Sequence, residues 1–398
     1  MSSPPKHLEH GFGSDQPLQA SNPKSRREVS GTGTQSSRSP SFNEDLLVAL
    51  TLEERLDIEH DEKPVAKLAR MLSVRSIIST TSSFASKMEA ARKGGYLGMY
   101  RSIGAGTCGI VFEELGTVNA IKLAKTDDSQ LWNDYQFHTM VREKIMASPI
   151  KSENLQVPKC LWFAKSDDKK WWDLHRHRFP DQSRVERPRD VLCTERILPI
   201  PKELRHAIID AWCPEDLREK AKAEPTNRDC LIRVYLGKRR RDPTTSRPLK
   251  MFQLRNYNLH VDQIMELAIE EYGEVAENMG RALAVLHWLV ATDARDVEFV
   301  LGSAPTPKPV PLAAKDVVGK APRSTWEEVT SHNFKRRAIR LWLLDFNQCR
   351  PISRDDESVK KAVQAFFEND PYYPRPLTKT STEQRLWTKF KAGYLEAA

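Results

Sequence analysis

Three glycines and one lysine set the first chemical constraint. Gly104, Gly106 and Gly109 lie in the run IGAGTCGIV (103–111), spaced G-x-G-x-x-G and followed by a valine; Lys122 sits inside the apolar run Ala120–Ala124. Glycines without a Cβ let a turn bring backbone N–H groups onto an anion. A lysine in an apolar strand requires an anionic partner. A carboxylate on the next helix would serve: Asp134, with His138 and Val141 following on the same face, is the better candidate, and Glu143 is the alternative. Further on, LLDF (343–346) delivers Asp345 at the end of an apolar strand, and TDARDVE (292–298) places Asp293 five residues before Glu298. The set suits phosphoryl transfer from ATP. Gly104, Gly106, Gly109, Lys122 and Asp134 form the nucleotide-binding group, Asp345 and Glu298 hold Mg2+ through hard oxygens, and Asp293 orients the acceptor hydroxyl, with Asp296 competing for that role.

These residues need elements to position them. TyrArgSerIle (100–103) leads into the glycines, and Gly109–Leu115 and Val118–Ala124 read as strands joined by a turn at Gly116-Thr117. Ser129–Met146 has helical spacing through Leu131, Tyr135, His138, Val141 and Ile145. Val157–Ala164 and Asp190–Leu198 read as two more strands, with Glu195–Leu198 as a hinge. Val261–Ile269 and Glu274–Val290 read as amphipathic helices, the latter with Val275, Met279, Ala282, Leu283, Leu286 and Val290 on one face. The Pro/Lys-rich stretch near 303–322 reads as a flexible insertion. Residues 1 to about 42 are polar and poor in large apolar side chains, which predicts disorder. Asn43–Arg55 is a short helix or nothing stable, and Ser73–Ser86 reads as linker. The expected division is a tail over 1–94, a small β-rich lobe over 95–198 and a helical lobe over 199–398.

Bulk composition narrows the class. The chain has 398 residues, 39% of them apolar, and a formal charge of +8, an excess suited to anionic partners but modest for this length. Its six cysteines are scattered without C-x-x-C or finger spacing, which argues for reduced thiols rather than a disulfide framework or a structural zinc. No apolar run is long enough for a membrane helix and no signal core opens the chain, so the expectation is an intracellular protein, cytoplasmic or nuclear, with no membrane partner. The basic run Lys238–Arg241 could address a nucleus or an anion; a solvated basic loop is the plainer reading. Tryptophans 162, 171 and 172 read as packing residues.

Several strings resemble a fungal domain-of-unknown-function family: LIRVYLG (231–237), FQLRNY (252–257), LHW (286–288), DVEFVLG (296–302), LLDFNQC (343–349) and NDPYYP (369–374). The resemblance spans roughly residues 100–398 and implies a filamentous-fungal source. Members sometimes carry a zinc-finger label, which the cysteine spacing here does not match. The glycine loop, Lys122, Asp134, the acidic loop and Asp345 also resemble protein-kinase-like phosphotransferases. That resemblance implies an α+β, two-lobed protein-kinase-like fold, a small β-rich lobe over a larger helical one, with ATP-binding between them. The departures are Ala291-Thr292 in place of His-Arg, Asn347 in place of Gly, and the lack of an Ala-Pro-Glu segment. They point to an atypical or small-molecule kinase, or to an inactive pseudokinase acting through a protein partner. Nucleic acid is the weaker reading, and no oligomeric state follows.

Overall fold

A computed structural model describes residues 64–398 except 75, 80–97, 116, 127–128, 149–154, 181–186, 242–249, 310, 323–329, 370 and 379. They fall within one compact unit, Glu59–Ala398. A second unit, Met1–Ile58, lies outside the described residues, and with it the tail and the helix expected over 43–55.

The chain runs α1 (Pro64–Leu72), β1 (Ile77–Ser79), β2 (Tyr100–Ala105), β3 (Gly109–Glu114), β4 (Asn119–Ala124), α2 (Gln130–Ala147), β5 (Leu155–Gln156), β6 (Cys160–Ala164), α3 (Lys169–His175) and β7 (Val191–Glu195). It continues α4 (Lys202–Trp212), α5 (Arg218–Ala223), β8 (Ile232–Tyr235), β9 (Tyr257–His260), α6 (Val261–Leu267), α7 (Tyr272–Ala284), β10 (Glu298–Pro309), α8 (Ala314–Val317), β11 (Thr330–Leu344), α9 (Asp356–Glu368) and α10 (Ser381–Ala397). The fold is mixed α+β.

The first sheet is antiparallel, in the order β2-β3-β4-β7-β6. Its apolar face closes over Tyr100, Phe112, Ile121, Trp172 and Phe179, with Trp162 and Trp171 packed against them. Helix α2 turns Leu131, Asp134, Phe137, His138 and Val141 inward, while Tyr135 and Ile145 of the expected face are only half-buried. The second sheet runs β1-β11-β10-β8-β9, with β5 beside β11. Against it lies the main core, drawn from α1, α4, α6, α7 and α10.

Two expectations change here. Residues 64–74 and 76–79, assigned to the linker tail, are folded: Leu68 and Leu72 are fully buried in the main core, and β1 pairs Ile77 with Ala338 of β11. Burying each leucine contributes about 1.5–3 kcal/mol, enough to order a short helix that propensity alone would leave frayed. The stretch expected as a flexible insertion begins as strand. β10 continues to Pro309 and pairs with β11 as far as Thr330, with a register shift between Pro305 and Thr306. Proline in this strand is tolerated at a bulge, where the ladder is already interrupted.

Helices α7 and α10 touch through their backbones. A Cβ at Gly280 would overlap the Phe390 carbonyl, and one at Gly393 would overlap the Glu277 carbonyl. The expected helix over Glu274–Val290 ends its α-helical part at Ala284 and finishes in a π-helical turn, Val285–Leu289.

Candidate functional site

A cleft opens between the first sheet and the face formed by β8, β10 and β11. It holds about 190 Å³ of space that water can occupy. Gly104, Gly106 and Gly109 roof one end. Val111, Ala120 and Leu192 face Ile197, Leu231, Val300 and Leu344 across an apolar slot, and Lys122, Asp134, Arg233, Glu298 and Asp345 gather at the polar end.

The roof is a tight turn. Gly106 N–H donates to the Gly109 carbonyl at 2.9 Å, and Lys125 Nζ donates to the Gly106 carbonyl. Only Gly109 is demanded by packing here: a Cβ there would meet the Leu123 carbonyl oxygen at 2.9 Å. A Cβ on Gly106 would meet nothing within 4 Å, so packing does not demand a glycine there.

Lys122 is the hub. Its Nζ donates to Asp134 Oδ2 at 2.7 Å and to Asp345 Oδ1 at 2.8 Å. Burial alone would lower the Lys122 pKa, but Asp134 and then Asp345 outweigh it and hold the ammonium well above its usual range. Burial likewise works to raise Asp134, and the Lys122 charge wins, keeping that carboxyl below its ordinary value. Asp134 Oδ1 also accepts from Phe346 N–H at 3.0 Å. Helix α2 therefore grips the turn after β11 directly. Asn133 Nδ2 reinforces the grip by donating to the Asn347 carbonyl at 3.1 Å and the Cys349 carbonyl at 2.9 Å, and Asn347 Nδ2 donates to Gln130 Oε1 at 3.2 Å. The alternative partner, Glu143, is an exposed side chain paired with Lys144.

Asp345 has a positive φ of 67°. An aspartate tolerates this left-handed backbone better than most residues, and such conformations collect at functional turns. Asp345 stays beside Glu298 through sheet register, because Glu298 opens β10 directly opposite Leu344 of β11.

The acidic loop departs from expectation. Asp293 is buried and does not line the cleft. Its Oδ1 accepts from Arg295 N–H at 3.1 Å and Arg350 N–H at 2.9 Å, so the carboxylate closes the loop backbone. Asp296, the competing candidate, has a φ of 61° and accepts from Gln348 Nε2. Its carboxyl is raised by burial and then by Asp345, and like Asp293 it does not itself line the cleft.

Glu298 lines the cleft, and its Oε1 is engaged by Arg233 Nη2 at 2.6 Å. Its carboxyl is pushed up to about 7, by burial first and by Asp345 second, against the opposing pull of Arg233. Arg233 was not singled out from sequence. The signal available was one charged residue within LIRVYLG, at a position where strand alternation ordinarily predicts solvent exposure. A second unforeseen group ties the first sheet to the helical body. Arg101 grips Asp229 with two hydrogen bonds of 2.7 Å, Arg196 reaches the same Asp229 at 3.4 Å, and both arginines contact Glu113. The basic run contributes to structure as well: Arg239 pairs with Glu383, and Arg240 with Asp262 and Glu266.

Residues 341–398 match a family described as DUF3669, zinc finger protein. The match takes in the end of β11, Asp345, α9 and α10. No curated protein and no solved structure matches the chain. Among the described residues, no group of three or more His, Cys, Asp and Glu side chains is gathered to hold a metal ion, and the zinc-finger description finds no ligand set there. No helix of the described residues is long and apolar enough to cross a membrane.

Proposed function

We propose that the cleft binds a nucleoside triphosphate in a two-lobed, kinase-like arrangement. The observation that carries this reading is the Lys122 hub, an ammonium held by Asp134 from α2 and by Asp345 from β11, beneath a glycine turn with open space. The apolar residues lining the cleft, Ala120 and Val300 among them, would take the base. Phosphate oxygens would meet Lys122 and the glycine-turn amides, with the charged group outside the slot. Asp345 supplies a hard carboxylate oxygen suited to Mg2+, which when bound spreads the phosphate charge. Asp345 faces the cleft and fits that role. Glu298, the other expected ligand, is already engaged by Arg233.

For transfer to an acceptor, the acid–base role falls to Asp296, because Asp293 is bound to backbone amides. The same observation favours a second reading, an inactive pseudokinase that binds nucleotide and acts through a protein partner.

Thermal unfolding tests the first reading with ATP alone, ATP plus Mg2+, and neither, in the wild type and in Lys122→Met. Ligand at about 100 times its Kd stabilises by about 2.7 kcal/mol. The wild type is expected to shift with nucleotide and the variant not to. A wild type indifferent to every nucleotide rules the reading out. Binding without phosphate release or transfer, unchanged in Asp296→Asn, selects the pseudokinase.

A further inference from the structure

The polar end of the cleft contains a cation that the kinase resemblance does not call for. Arg233 sits on β8 opposite Val300 of β10, and strand alternation puts Glu298 and Val300 on one face. Arg233 thus lies diagonal to Glu298, and its Nη2 closes on Glu298 Oε1 at 2.6 Å. Both side chains line the same cleft as Lys122 and Asp345, and the Arg233 side chain is 28% exposed. Kinase-like sites commonly use two Mg2+ ions, the second held by a neutral asparagine of the catalytic loop. Here that position carries Glu298, whose negative charge would favour a second metal if its oxygens were available. Instead a guanidinium, permanently charged and matched to both carboxylate and phosphate, is built beside it.

We infer that Arg233, anchored by Glu298, is a resident cation replacing the second metal of a two-metal phosphate site, so that the cleft takes one divalent ion per nucleotide. This deepens the nucleotide reading of the cleft and rests on it. Glu298 is then a positioning residue for Arg233. The division of labour is Asp345 for the single metal, Lys122 and Arg233 for phosphate oxygens on either side.

Mn2+ titration of the full chain with ATP tests this, with bound Mn2+ counted by electron paramagnetic resonance and ATP affinity by calorimetry. The wild type is expected to hold one Mn2+ per ATP. Arg233→Met frees the Glu298 carboxylate and is expected to hold two, with ATP binding then strengthened by free Mn2+ in excess of the complex. Arg233→Met combined with Glu298→Gln removes both charges and returns the count to one. Glu298→Gln alone, which leaves no unpaired carboxylate, keeps one Mn2+ and weakens ATP about tenfold as Arg233 loses its anchor. Each variant's melting curve reports folding. If Arg233→Met fails to fold, Glu298→Gln decides: loss of its Mn2+ makes Glu298 a metal ligand and overturns the inference. Any wild-type count other than one, or a folded Arg233→Met that still holds one, also overturns it. A wild type that binds no ATP with or without metal refutes the nucleotide reading itself, an outcome distinct from a wrong metal count.

Discussion

Asp293 and Asp296 illustrate how far spacing carries at the scale of single residues. Both precede β10 by a few positions, and either could be a base. The structure separates them by what each carboxylate accepts: Asp293 takes two backbone N–H groups, while Asp296 takes the Gln348 amide and feels Asp345. Asp293→Ala strands two donors in the loop interior and should cost about 1–3 kcal/mol of stability. ATP-induced stabilisation should persist in that variant. Chemical denaturation with and without nucleotide checks both parts; unchanged stability with lost binding would return Asp293 to the site. Lys122 and Asp134 were legible because helix and strand periodicities fix relative facing over a dozen residues. Arg233 was not, because its partner Glu298 comes from a distant strand and the pairing exists only after β8 and β10 align.

At the scale of elements, local periodicity recovered the strands β3, β4, β6 and β7, α2, α6 and most of α7. It missed α1 and β1, whose order depends on the α4 core and on β11, far away in sequence. It also could not foresee why α7 stops being α-helical at Ala284. The α7–α10 crossing, by contrast, is written in Gly280 and Gly393, which read as weak helix residues until the two backbones are seen in contact. Gly280→Ala would improve helix propensity and still destabilise, by about 1–3 kcal/mol or more, because its Cβ would overlap the Phe390 backbone carbonyl. Urea unfolding of Gly280→Ala beside an alanine at the less confined Gly273 separates packing from propensity; equal effects would sink the account. Only the α10 side of the crossing, with Gly393, lies in the stretch matched by the DUF family; Gly280 lies outside it.

For the whole molecule, the His287 imidazole couples stability to pH. It lies on the π-helical turn, where Nδ1 and the Tyr394 hydroxyl of α10 share a hydrogen bond of 2.9 Å. Burial holds its pKa down to about 4. The unfolded chain, with an ordinary histidine near 6.5, takes up the proton first as pH falls. Stability contributed by the neutral ring is therefore present above about 6.5 and is lost on the way down to about 4. From pH 7 to pH 5 the loss attributable to this residue is about 2 kcal/mol. Denaturant unfolding at both pH values should show that much less sensitivity in His287→Phe than in the wild type. Identical pH dependence would mean the ring does not titrate with folding.

The long β10–β11 pairing bears on which length changes the chain can absorb. Near the cleft, Glu298 stands opposite Leu344, one residue before Asp345, and a one-residue slip would turn both strands' side chains to the wrong face. Beyond the bulge at Pro305/Thr306 the register has already been reset once, and nothing in the cleft depends on it. Insertions and deletions at the hairpin's far end would leave the spacing of these two carboxylates untouched, whereas a single residue gained or lost between Ile339 and Leu344 would dismantle it. The hairpin is thus a ruler calibrated at one end only, and natural length variation should accumulate at the other.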